Sequence, residues 1–187
     1  MHELLHLAAD RAAQYLDGLG ERAAAPTAEA LAGLAELGGP LPHAPTDPAE
    51  VLALLDRAGS PATTASAGGR YYGFVVGGSL PAALAANWLA SAWDQNAGMA
   101  VLSPVAAAVE TIAQGWLLDA LGLPASAGVG FVSGATMANF SGLAAARHAL
   151  LKQAGWDVEA RGMFGAPPIT VLVGDEVHVS ALKALSL

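Results

Sequence analysis

Between Gly128 and Arg147 the chain reads GVGFVSGATMANFSGLAAAR, a short apolar run that stops at Ser133-Gly134-Ala135-Thr136 and gives way at once to an alanine-rich helical pattern. A strand, a tight turn and a helix N-terminus in that order can aim several unpaired backbone N–H groups and the positive end of a helix dipole at one anion. Small side chains let a phosphate come close. The same junction also occurs in α/β proteins merely to turn the chain. A second junction repeats the pattern: the β-branched run Ile169 to Val173 ends at a polar turn, and His178 stands where the next helical pattern begins. In a parallel sheet the carboxyl ends of the strands face one crevice, so a phosphate cradle and a flat imidazole are expected to share a pocket. Taken alone, His178 reads rather as a helix-start residue bonded to local backbone. Asp175 and Glu176, adjacent in sequence, point apart and do not make one metal cluster with it.

A different chemistry is written at the start of the chain. His2-Glu3-Leu4-Leu5-His6 fits the H-E-x-x-H pattern, in which two histidines one helical turn apart bind zinc and the Glu acts on the metal-bound water, with Glu29 as a conceivable third ligand. A zinc metalloprotease helix is normally buried beside a substrate-aligning strand. Here only Met1 precedes the motif, so both histidines are expected on an exposed helix.

Four segments, in order, resemble the group II pyridoxal-phosphate-dependent amino acid decarboxylases, the aromatic amino acid and glutamate decarboxylase family of fold type I. They are GFVVGGSLP from Gly73, WDQNAGMAVLSPVAAAVETIAQGWLLDALGLP from Trp93, the SGATMAN turn from Ser133 and DEVHVSALKAL from Asp175. The resemblance implies an α/β fold: an N-terminal helical segment, then the beginning of a large domain with a mostly parallel sheet flanked by helices. It implies pyridoxal 5'-phosphate as cofactor and decarboxylation of an L-amino acid as the reaction, with an aminotransferase-like enzyme as the alternative. By the same likeness Gly134, Ala135 and Thr136 hold the cofactor phosphate, with Asn139 one turn further on. His178 stacks on the pyridine ring, and Phe74, Val76 and Asn96 lie near the substrate. Val76 and Gly77 are small or apolar where some family members carry a polar side chain, which leaves aromatic and acidic substrates both open.

In that family the Schiff-base lysine and the carboxylate on the pyridine nitrogen lie further along the chain than the stacking histidine. The only lysines here are Lys152 and Lys183, each in a helical pattern and neither in the family's lysine context. The final helical pattern stops at Ser186-Leu187 without a Gly, Asn or Pro exit signal. The expectation is a partial sequence, inactive by itself, belonging to a decarboxylase when whole. A non-catalytic dimerisation piece is the reading from outside enzymology.

The elements that must position these residues follow from periodicity and capping signals. Residues 1–92 are expected to form a helical segment that embraces a second subunit in a homodimer, and 93–187 the first, incomplete part of the cofactor-binding domain. Met1 to about Gly20 is amphipathic, with Leu4, Leu5, Ala8, Ala12, Tyr15, Leu16 and Leu19 toward one side. Asp47-Pro48 and Ser103-Pro104 each pair an N-cap with proline at the first helical position. Helices are also expected over Ala28 to Leu37 and Leu80 to Ala92.

Composition narrows the partners. Hydrophobic residues make up 54% and charged ones 13% of the 187 residues, and mean hydropathy is +0.46. So little polar surface predicts that a partner covers much of the exterior. A net charge of −8 without basic clusters argues against nucleic acid and anionic membrane. The absence of cysteine excludes disulfides and thiolate metal sites and fits a cytoplasmic protein. Tyr71 to Trp93 and Ala120 to Ala146 are uncharged over membrane-spanning lengths, but the density of Gly, Pro and Asn within them points to turns between short elements.

Overall fold

The structure, a computed structural model, describes residues 1–187 and divides them into two compact units, Met1–Asp94 and Gln95–Leu187. Eight α-helices carry it: α1 His2–Asp17, α2 Ala28–Gly33, α3 Pro48–Leu54, α4 Pro81–Trp93, α5 Pro104–Ala120, α6 Ala135–Gln153, α7 Val158–Arg161 and α8 Val179–Leu185. Short tight turns extend α1 and α2, and a wider helical turn, Leu55–Gly59, continues α3. There is no β-strand.

The expected α/β architecture with its mostly parallel sheet is therefore overturned: the fold is all-helical. A β-strand exists only through pairing with another, and the two β-branched or apolar runs find no ladder. At the first run the carbonyl of Val129 accepts instead from Gln114 Nε2 on α5, at 3.4 Å. The second run, 169–173, borders α6 on one side and stays largely exposed on the other, with Leu172 91% exposed. Ile169, Val171 and Leu172 share an apolar cavity of about 450 Å³ with Phe140, Leu143 and Leu150 of α6. Alanine-rich segments satisfy their backbone groups internally, whereas isolated extended runs do not.

Side-chain caps set where the helices begin. Asp47 Oδ1 accepts from the Ala49 amide at 2.7 Å, directly before Pro48, and Ser103 Oγ accepts from Ala106 at 3.4 Å, directly before Pro104. Thr27 caps α2 in the same way, and Asp157 accepts from both Glu159 and Ala160 to hold the one-turn α7. Gly122, Gly155 and Gly162, with φ of 64°, 76° and 65°, follow the ends of α5, α6 and α7, where a left-handed residue lets the chain leave a helix without a Cβ clash.

In the first unit polar ties join α1 to the stretch after α3. Arg11 pairs with Asp56 at 2.6 Å, the Ser60 hydroxyl donates to the other Asp56 oxygen at 2.7 Å, and the Tyr15 and Thr63 hydroxyls lie 2.9 Å apart. Arg22 stacks over the Tyr15 ring at 4.4 Å and donates to the Ser60 carbonyl. In the second unit the largest helix–helix contact is between α6 and α8. Leu151 of α6 and Ala184 of α8 are buried there.

Candidate functional site

The residues that the sequence marks for phosphate binding open α6. Gly134 is the N-cap, in extended backbone, and no side chain caps this helix. The first intrahelical bond runs from the Ala138 amide to the Gly134 carbonyl, which leaves the amides of Ala135, Thr136 and Met137 without an intrahelical partner. A Cβ at Gly134 would meet nothing within 4 Å, so the approach to these amides is open. Three outward N–H groups, the Thr136 hydroxyl and the positive end of a 19-residue helix form an electrostatic site for an anion.

Packing of α6 on α8 brings the second marked residue to the first helix. Asn139 Nδ2 donates to Ser180 Oγ at 2.8 Å across 41 residues of sequence. The same Oγ stands 2.8 Å from His178 Nδ1, which also accepts from the Ser180 amide at 3.2 Å, making His178 the N-cap of α8. The directions are consistent only one way. The Ser180 amide can only donate, so Nδ1 is an acceptor; the Ser180 hydroxyl therefore accepts from Asn139 and donates to Nδ1, and the ring hydrogen sits on Nε2. One buried serine thus fixes the plane of an exposed imidazole and ties it to a helix whose N-terminal amides are free.

Ser180 was not among the residues singled out from sequence. Its signal is slight: a hydroxyl two residues after a helix-start histidine, in His178-Val179-Ser180, is the pattern of a polar N-terminal turn.

The expected substrate residues are divided between the two units. Phe74 and Val76 belong to the first unit, on an irregular stretch before α4, where Phe74 is 93% exposed and Phe74 and Val75 have left-handed backbone with φ of 55° and 53°. A β-branched residue in that region is strained, and Val75 is fully exposed there. Asn96 belongs to the second unit, and its Oδ1 accepts from the Gly98 amide at 2.9 Å, closing a local turn. Lys152 sits in the last turn of α6 and Lys183 in the last turn of α8.

The His2-Glu3-x-x-His6 motif does form on α1, with its two rings edge to face and exposed. No group of three or more His, Cys, Asp or Glu side chains is arranged to hold a metal, so Glu29 does not complete a zinc centre. Neither apolar stretch forms a span, since no helix is long and apolar enough to cross a membrane.

No protein-family model matches this chain, and no curated protein or solved structure shows significant similarity to it.

Proposed function

We propose that the second unit binds the phosphorylated pyridine cofactor pyridoxal 5'-phosphate, and that the protein serves in decarboxylation of an L-amino acid as a cytoplasmic homodimer. The observation that carries the reading is the union of Asn139 and His178 through the Ser180 hydroxyl, beside the uncapped start of α6. The four segments that resemble the decarboxylase family also favour it, although the α/β fold that the resemblance implied is not the fold found.

The residues present suit such a group at two points. The amides of Ala135, Thr136 and Met137 with the Thr136 hydroxyl would hold the phosphate, and the His178 ring, kept at one orientation by Ser180, would lie against the flat heterocycle. When bound, the cofactor supplies an electron sink for the bond that loses carbon dioxide. Positioning is the protein's share of the work, and small changes of angle at the imidazole would cost rate steeply. Lys152, about 25 Å along α6 from the cradle at 1.5 Å per residue, cannot attach to a group held there.

The test uses pyridoxamine 5'-phosphate, which lacks the aldehyde and so cannot condense with surface lysines. Isothermal titration should show it binding at least about tenfold tighter than unphosphorylated pyridoxamine, a difference of about 1.4 kcal/mol. Thr136→Val and His178→Leu should each weaken it. Equal affinity for the two compounds, in protein of normal helix content, would sink the reading.

A further inference from the structure

The two histidines of α1 support a site that the decarboxylase reading does not use. His2 and His6 stand one turn apart on the same face, both exposed, and neither ring makes a hydrogen bond or ion pair. Their ring centroids are 4.5 Å apart with the planes at 65°. A neutral imidazole nitrogen sits about 2.0–2.1 Å from a bound first-row metal, which places the ring centre about 3.2 Å from the ion. Two such rings at right angles around one ion therefore have centres about 4.5 Å apart, whereas a tetrahedral angle would spread them to about 5.2 Å. At 4.5 Å the two rings are close enough for one ion to bridge them.

We infer that His2 and His6 together chelate one divalent transition-metal ion of tetragonal preference, Cu²⁺ foremost. Copper heads the affinity order for nitrogen ligands, and two adjacent positions of its tetragonal site suit two rings this close. Because no third protein ligand joins them, water or a group from another molecule completes the coordination, and the site is a docking point for metal rather than a hydrolytic centre. Chelation also gives α1 what it lacks: its N-cap Met1 offers no side-chain bond, and an ion bridging the first and second turns holds the end that would otherwise fray.

Titrating the full chain with Cu²⁺, followed by electron paramagnetic resonance and calorimetry, tests the assignment against His2→Gln, His6→Gln and His43→Gln variants. The expected result is one saturable ion with two imidazole nitrogens in its spectrum. Either His2→Gln or His6→Gln should weaken it by at least about tenfold as chelation becomes single-point binding, with His43→Gln unchanged. Copper held as tightly by His6→Gln as by the parent would overturn the pair, since the binding would then rest on the chain's amino end and His2. Equal weakening by all three substitutions, or no saturable binding at all, would equally reject it. Circular dichroism of each variant establishes that α1 is still helical.

Discussion

A single hydroxyl decides how the candidate site is held. Ser180 accepts from Asn139 and donates to His178, so removing it leaves a half-buried amide donor without its partner and frees the imidazole to rotate. Ser180→Ala should cost about 1–2 kcal/mol of stability, as expected for a lost buried hydrogen bond. It should also weaken pyridoxamine phosphate binding although it deletes no proposed ligand, a combination that denaturant melts and calorimetry on one preparation would expose. Gly134→Asp works in the opposite sense. The site has room for the side chain, and aspartate is a better N-cap than glycine by a few tenths of a kcal/mol, so the helix should be slightly firmer. Its carboxylate would occupy the amides and repel a phosphate, and a variant more stable yet still binding the phosphorylated compound would refute the cradle. The helix starts at Gly134 and His178 were legible in the sequence because turn chemistry is a local signal. Ser180 was not, because its importance comes from a contact across the chain that no local pattern encodes.

At the scale of elements, helix starts were the readable part: Asp47-Pro48 and Ser103-Pro104 open α3 and α5, each with the side-chain bond expected of it. The strands were not, because an apolar β-branched run such as 169–173 does not name its partner, and here one side borders α6 and a cavity, no ladder forms, and Val171 to Val173 remain exposed. The four-residue α7 escaped notice as too short for periodicity, although Asp157 was its visible cap. Between elements, the tie from α1 to the turn after α3 has a pH signature. The Ser60 hydroxyl, and next the Arg11 guanidinium, hold the Asp56 carboxyl below its ordinary 3.8. A carboxyl with a depressed folded-state pKa stabilises the fold above its unfolded value and loses that contribution as pH falls through the folded one. The parent should therefore lose stability on acidification below 3.8, and Asp56→Asn should be weaker at neutral pH but show a shallower decline in that window. Urea midpoints taken from neutral to strongly acidic pH would reveal the two slopes, and parallel slopes would show that Asp56 contributes nothing.

For the whole molecule the governing quantity is surface. The chain exposes 14382 Å², whereas two separate globular bodies, each of half its mass, would together expose about 10,000 Å². Much of the excess is apolar: Phe131, Trp116, Phe164 and Leu172 are all exposed. A stable protein–protein interface needs about 1,600 Å² in total, so the uncovered area is sufficient for self-association, and the low share of charged residues leaves little polar cover to oppose it. The net charge of −8 acts against unlimited growth, since like-charged assemblies repel, and it favours a small closed oligomer such as a dimer. Sedimentation velocity over a hundredfold range of concentration should show a reversible shift from monomer to dimer, with dye binding to exposed apolar surface falling as the dimer forms. Raising ionic strength should favour association, because screening weakens the repulsion while leaving apolar burial intact. A monomer that persists throughout that range and binds no dye would mean that the exposed apolar surface is closed within a single chain in solution, and would remove the basis for a dimeric decarboxylase.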